Sequence, residues 1–416
     1  MRNSFVARQL VQLGFMGNAV RPIPAAWASI PEFFAGWLTA ELAPHLLALT
    51  AIDTASQLAR RKRSPVGVAL AAATAAGYGK LILDAQDAKG EVEDALRETL
   101  GVDYVHGLER EPDADDLATP WGQLLMPFRM TNKNVVRESN IAYAAGGRRY
   151  LLDVYHGTEE QHGRPVLIQV HGGGWIIGHK AQQGVPLMQH MAERGWICVA
   201  PNYPLSPKAA WPEHVVALKR AIAWVRENIA DYGGDPSFIG VTGGSAGGHL
   251  ATLLALTSHD KSWQPGFEGA DTSVQVCVPH YGVYDFAGQT QTAAAIGRRD
   301  SFLARWVMKK TWKQDPQLFL DASPLERITP QAPPFFVIHG NLDTLVPVPE
   351  AREFVQRLRA ASDSPVAYAE IAGAQHAFDI FPSIRSAHVV RGAERFLNWT
   401  YRKATAQPEP EPTEDD

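Results

Sequence analysis

Only two cysteines, Cys198 and Cys277, occur in 416 residues. Both sit in apolar, strand-like runs, so they read as buried free thiols rather than as a disulfide framework. Charge imbalance is also scarce: 39 basic and 44 acidic side chains leave a formal net charge of −5. That excludes capture of a polyanion as the main business of the chain, and nothing resembles a nucleic-acid module or a zinc-ligand cluster. No nucleic-acid partner and no metal is expected. Long hydrophobic runs are missing too. The longest stretch free of Asp, Glu, Lys and Arg, residues 236–259, is broken by glycine pairs and reads as strand, turn and helix. The next, residues 64–79, falls short of the ~20 apolar residues of a spanning helix. Arg2, Arg8, residues 10–20 and Ala26-Trp27-Ala28 imitate a secretory signal, but Gln12, Gly14, Gly17 and Asn18 dilute its apolar part. The expectation is a cytoplasmic protein, with membrane association left open and secretion disfavoured.

What is present changes character near residue 130. Residues 1–130 are rich in Ala and Leu with helical spacing. Phe33, Phe34, Trp37, Leu38, Leu42, Leu46 and Leu47 recur at steps of three and four, as on one face of an amphipathic helix. Arg60-Arg61-Lys62-Arg63 interrupts, and Pro65 starts a second helix through Leu83. Two apolar helices joined by a basic turn give residues 25–83 the make-up of a peripheral membrane-associating segment, the alternative being a helical subdomain or cap packed on the rest.

From residue 131 to 403, strand signals alternate with helix signals. Strands are expected at 134–144, 150–155, 166–170, 196–200, 238–241, 274–278, 335–339 and 366–371. Helices are expected at 182–194, 214–232, 245–256, 350–361 and 386–402. This alternation predicts an α/β domain with a mostly parallel eight-stranded sheet covered on both faces, opening with an antiparallel pair. Residues 286–328 break the rhythm. They carry a basic, aromatic helix candidate at 302–313 and read as a cap insertion. Residues 404–416, almost without apolar side chains, read as a disordered acidic tail.

Chemistry is concentrated at four strand ends. Gly243-Gly244-Ser245-Ala246-Gly247 fits G-x-S-x-G between a predicted strand and a predicted helix. That context raises a serine on a sharp turn and aims the following N–H, that of Ala246, at a developing oxyanion. His171-Gly172-Gly173-Gly174-Trp175 follows another strand. Gly172 and Gly173 are the expected further oxyanion donors, with His171 bracing the loop. Asp343 follows the strand at 335–339 and His376 the strand at 366–371. The chain order Ser, Asp, His and the shared carboxyl edge make Ser245 the nucleophile, His376 the base and Asp343 the orienting acid. Trp175, Tyr203, Tyr281 and Tyr284 also follow strand ends and are the expected substrate-lining side chains.

These four motifs together resemble the α/β-hydrolase fold-3 and carboxylesterase families, on the hormone-sensitive-lipase side. The likeness runs from about residue 135 to 402. It implies the α/β-hydrolase fold and hydrolysis of a small-molecule or lipid carboxylic ester through an acyl-serine, with no cofactor. Gly244 stands where that group usually has an acidic residue, and Tyr203-Pro204-Leu205-Ser206-Pro207 departs from its Tyr-Arg-Leu-Ala-Pro stretch. An amidase such as an arylformamidase uses the same machinery and stays open as an alternative. A non-catalytic binding protein on the same scaffold is a remote one, because all three triad residues remain.

Overall fold

The alternating strands assemble into one eight-stranded sheet in the order β1-β2-β4-β3-β5-β6-β7-β8. The strands are β1 (Val135–Ala142), β2 (Leu151–Gly157), β3 (Arg164–Val170), β4 (Ile197–Pro201), β5 (Gly234–Gly244), β6 (Val276–His280), β7 (Phe335–Gly340) and β8 (Val366–Ile371). β2 pairs antiparallel with β1 and β4, and every pair from β4 to β8 is parallel. This is the α/β-hydrolase architecture. The computed structural model describes residues 2–23, 29–59 and 64–406. The basic turn 60–63, Ala26-Trp27-Ala28 and the tail from residue 407 lie outside the described residues.

The helices are α1 (Arg2–Val20), α2 (Ser29–Glu41), α3 (Ala43–Ala59), α4 (Pro65–Leu100), the single turns α5 (Ala114–Leu117) and α6 (Trp121–Leu124), then α7 (Val185–Glu193), α8 (Glu213–Asn228) and α9 (Ala246–Leu256). The insertion after β6 holds α10 (Ala293–Gly297), a π-helix over Arg298–Met308, and α11 (Pro316–Asp321). α12 (Pro349–Ala361) and α13 (Ile384–Thr405) follow.

Strand alternation sends side chains to two cores. On one face Val166, Ile168, Val241 and Val337 meet Leu218, Ile222, Leu250 and Phe354 from α8, α9 and α12. On the other, Leu167, Val278, Ile338 and Ala369 meet Met188 of α7 and Val389 and Phe396 of α13. Ala88, Val92, Ala95 and Leu96 of α4 belong to this second core. α4 therefore runs on past Leu83, the expected end, and its second half is a covering helix of the sheet. Ser64 caps its first turn and Pro65 sits at its start. Lys80–Asp84 and Glu93–Arg97 pairs at i,i+4 spacing support its exposed side. Packing against α13 is so close that a Cβ on Gly392 would meet Val92 at 2.1 Å.

The apolar face read across residues 33–47 divides. α2 ends at Glu41 and α3 begins at Ala43. Phe33 and Trp37 turn inward, whereas Phe34 and Leu38 stay exposed. Cys198 on β4 and Cys277 on β6 are free and buried.

Candidate active site

Sheet register brings the motif loops together. Val170, the last residue of β3, stands beside Gly243 of β5, and Gly244 stands beside His280 of β6. Gly340 of β7 stands beside Ile371 of β8. Four loops thus leave one edge of the sheet side by side.

At Ser245 the backbone takes φ 60° and ψ −123°, a left-handed conformation costly for a non-glycine residue. Its surroundings hold it there: Ser245 N–H donates to His280 O at 3.0 Å, and Ser245 O accepts His249 N–H at 3.0 Å to start α9. The crowding explains the flanking glycines. A Cβ on Gly247 would meet Val170 O at 2.1 Å, and one on Gly243 would meet the same oxygen at 2.6 Å. Ser245 itself remains partly accessible. Among the described residues its hydroxyl makes no hydrogen bond.

Asp343 and His376 meet directly. Asp343 Oδ2 lies 2.6 Å from His376 Nδ1. Asp343 Oδ1 accepts the N–H groups of Leu345 at 2.9 Å and Val346 at 2.7 Å. Burial alone would raise this carboxyl's pKa. The charges of His376 and His339 and the hydrogen bonds they make outweigh that and hold it below the ordinary carboxylate range. His339, at the end of β7, puts its Nε2 3.4 Å from Asp343 Oδ2 but is engaged by Val346 O at 2.8 Å.

The oxyanion loop departs from expectation at one donor. Gly172 N–H donates to Gln183 Oε1 at 2.7 Å, so it is not available to an oxyanion. Gly172 is instead the contact residue of the loop: a Cβ there would meet Gly244 O at 2.5 Å and Ser245 Cβ at 3.1 Å. The N–H groups of Gly173, Gly174 and Ala246 have no acceptor among the described residues. Gly173 and Gly174 adopt φ 110° and 58°, which glycine alone takes without cost. His171 braces the loop, stacked on Tyr203 at 4.4 Å with Nδ1 against Gly172 O at 2.8 Å. Burial lowers its pKa to about 4, so it stays neutral.

The expected lining aromatics need correcting. Trp175 is buried, its indole N–H on His249 Nδ1 at 3.2 Å and its ring edge-on to Phe286. Tyr203 is buried and donates to His171 O at 2.8 Å. Tyr284 is buried and stacks on Phe354 at 4.3 Å. Strand ends in a sheet covered on both faces lead back into core as readily as into a cleft, and these three rings pack there. Tyr281 is buried too, but of the four it alone packs against the base, its ring 4.8 Å from that of His376.

Sequence reasoning missed three contributors. Gln183 carries no sequence signal, since its role rests on a long-range bond to Gly172. Asp379 lies three residues past His376, accepts the Tyr281 hydroxyl and stands 2.6 Å from His280 Nδ1, tying the base loop to β6. Burial works against its charge, but His280 and the Tyr281 hydroxyl hold its pKa below the ordinary range. The third is α2. Phe33 sets its ring edge-on to His376 at 5.9 Å and stacks on Trp37. Thr344, next to the acid, donates to Ser29 O at 3.1 Å. Glu41 at the far end of α2 forms a buried pair with Arg385 of α13 at 2.9 Å. On the other side of the oxyanion loop, the insertion brings Phe302 to within 3.4 Å of where a Gly174 Cβ would stand.

Comparison with known proteins decides the family. The BD-FAE family model matches residues 152–358. The protein named Probable carboxylic ester hydrolase LipM, from Mycobacterium tuberculosis, is 42% identical over 413 residues, covering 95% of this chain and 93% of that one. This chain belongs to the α/β-hydrolase esterase family. Esterase LipQ of the same organism is 49% identical over 265 residues, 63% of this chain and 62% of that one. The match to LipM takes in the N-terminal helices as well as the hydrolase domain. A solved structure described as a truncated form of carbohydrate esterase from gut microbiota shares the fold, with a TM-score of 0.52 and 24% identity over 63% of this esterase and 96% of that chain.

Proposed function

We propose that this esterase hydrolyses carboxylic esters of apolar acids through an acyl-Ser245 intermediate. The observation that carries the reading is the buried Asp343–His376 bond of 2.6 Å, at the sheet edge where Ser245 is held on its strained turn. A neutral serine hydroxyl is a poor nucleophile. With Asp343 on Nδ1–H, His376 presents an empty Nε2, takes the Ser245 proton as the hydroxyl attacks the ester carbonyl, and returns it to the leaving alcohol. Water then attacks the acyl-enzyme by the same proton route. The N–H groups of Gly173, Gly174 and Ala246 receive the oxyanion in both steps, and losing one such donor typically costs ~3 kcal/mol.

An apolar acid is supported by what surrounds the loops. Phe33 and the exposed Phe34 belong to α2 on the base side. Phe302 and the exposed Ile177 stand on the oxyanion side. No cofactor enters this route. Rates on p-nitrophenyl esters from acetate to palmitate test the proposal, with Ser245→Ala as control. Turnover that peaks at one chain length and vanishes in the variant is expected. Folded wild type that hydrolyses none of these esters and takes no fluorophosphonate label would overturn it.

A further inference from the structure

The N-terminal helices are apolar outside as well as inside, around a core of Ala19, Ala40, Ala43, Tyr78 and Leu81. Every exposed residue of α3 is Ala, Leu or Ile, and every exposed residue of α4 from Pro65 to Gly79 is Pro, Val or Ala. Leu10, Val11 and Phe15 of α1 are exposed as well. Several polar side chains point inward: Gln9, Thr50, Gln57 and Thr74 are buried, while Ser4 and Arg8 near the start of α1 are exposed. Thr50 donates to Gln12 Oε1 at 2.7 Å and Gln9 to Asp53 Oδ2 at 3.1 Å, both between α1 and α3. A helix bundle in water shows the reverse arrangement. Polar links inside and apolar side chains outside are the pattern of helices packed within lipid, where small residues allow close approach. Here Gly67 and Gly77 of α4 supply it, since a Cβ on either would meet Phe5 at 2.5 Å or Met16 at 2.1 Å of α1.

We propose that α1, α3 and the first half of α4 insert into an anionic lipid bilayer and anchor the esterase there. Length agrees. Helices of 19 and 17 residues rise about 26–29 Å at ~1.5 Å per residue, against a hydrocarbon core of about 30 Å. α4 is itself long and apolar enough to cross a bilayer by length and composition. Charge agrees too. Arg8 of α1 is matched to Asp53 at 2.7 Å, and Glu41 to Arg385. The linker between α3 and α4 reads Arg60-Arg61-Lys62-Arg63, a cation cluster suited to anionic headgroups. A second copy of the chain would cover a single stripe. The exposed apolar side chains do not form one: Leu10 and Phe15 are about 140° apart around α1, and Ile52 and Leu58 about 120° apart around α3, at ~3.6 residues per turn. Lipid hydrocarbon suits these outward faces better than a second copy does. α2 then links the anchor to the catalytic loops through Phe33, which places the site's mouth beside the lipid. The idea that substrate enters from that phase rests on the esterase reading, whereas the anchor itself does not.

Flotation of the full-length protein with phosphatidylcholine vesicles, with and without phosphatidylglycerol, tests the anchor. Wild type should float, and more fully with phosphatidylglycerol. Leu49→Lys/Ile52→Lys changes two exposed positions of α3, outside the catalytic loops. It should cut the floated fraction by about tenfold or more and leave turnover of p-nitrophenyl acetate unchanged. Wild type that stays in the aqueous fraction, or a double variant that floats equally well, overturns the proposal. So does a wild-type dimer that becomes a monomer in the variant with no vesicle binding by either, since a second copy then covers the face. Fluorophosphonate labelling of the same fractions separates the two readings: labelled protein that does not float rejects only the anchor, and floating protein that takes no label rejects only the hydrolase mechanism.

Discussion

Replacing Asp343 by Asn keeps the side chain's size and removes its charge, and the surrounding donors dictate how the new amide must sit. Oδ1 accepts two backbone N–H groups, from Leu345 and Val346, so the amide oxygen must stay on that side. The amide NH2 then faces His376 Nδ1 in place of the oxygen that stood 2.6 Å away. Two donors cannot share a hydrogen bond, so the imidazole moves its proton to Nε2. That nitrogen must be empty to receive the Ser245 proton. The wrong tautomer in a serine triad costs roughly 10⁴ in kcat, or ~5.5 kcal/mol at ~1.36 kcal/mol per decade. KM should change little, because Asp343 is buried beneath the histidine and does not meet substrate. His339 is no substitute acid-side partner, being held by Val346 O. The assay is kcat on p-nitrophenyl butyrate, with the melting temperature confirming that the variant is folded. A folded Asp343→Asn enzyme within tenfold of wild type would refute the tautomer argument.

Three further outcomes are expected. Gln183→Ala should lower kcat by about tenfold or more with KM nearly constant, because Gly172 loses its acceptor and the adjoining Gly173 and Gly174 lose their fixed aim, while Gln183→Glu, which can still accept, should recover much of the rate; equal kcat in all three proteins would remove Gln183 from the machinery. Phe33→Ala should reduce kcat/KM on long-chain esters more than on acetate, and a uniform loss across chain lengths would mean that Phe33 only supports His376. Stability should fall in acid: burial lowers the pKa values of His171, His214 and His388 to about 4 and of His249 to about 3. Their folded values lie below the unfolded value of about 6.5, so the unfolded chain binds more protons between those limits. The stability from keeping them neutral is complete above about pH 6.5 and is lost as pH falls toward 4, at up to ~1.4 kcal/mol per pH unit for each imidazole. A melting temperature that stays flat from pH 7 to 5 would contradict this.

The catalytic residues are legible in the sequence because their signals are local. A glycine pair, a serine and an apolar helix in immediate succession need one geometry, and parallel strands send all their carboxyl-end loops to one edge. β8 is readable to its end residues, Val366 and Ile371, because a short strand-length run stands between Pro365 and the turn at Gly373. α4 reads short, although Ala85, Ala88, Val92 and Leu96 carry the three-and-four spacing on from Leu81 past Leu83. The charged exposed face hides that continuity, since Asp84, Asp87 and Lys89 sit between the buried positions.

What stays hidden is partnership across the chain. Periodicity tells which side of α2 is apolar, but not that Phe33 lies on a histidine 343 positions later, from Phe33 to His376. Composition cannot show that Gln183 takes the Gly172 N–H, or that Asp379 clamps Tyr281 and His280 behind the base. The same limit misassigns Trp175, Tyr203 and Tyr284, whose positions after strands suit a cleft and whose contacts are with core. Yet these hidden contacts share a direction. Gln183 fixes the oxyanion loop, Asp379 ties the base loop to β6, and α2 joins the acid and base loops to the N-terminal helices through Ser29 and Phe33, with Glu41 fastening its far end to α13. Substitutions along α2 should therefore change catalysis without touching a triad residue, whereas substitutions on the outer surface of α3 should not. That contrast is available to the same ester assay and separates a helix that shapes the site from helices that only carry it.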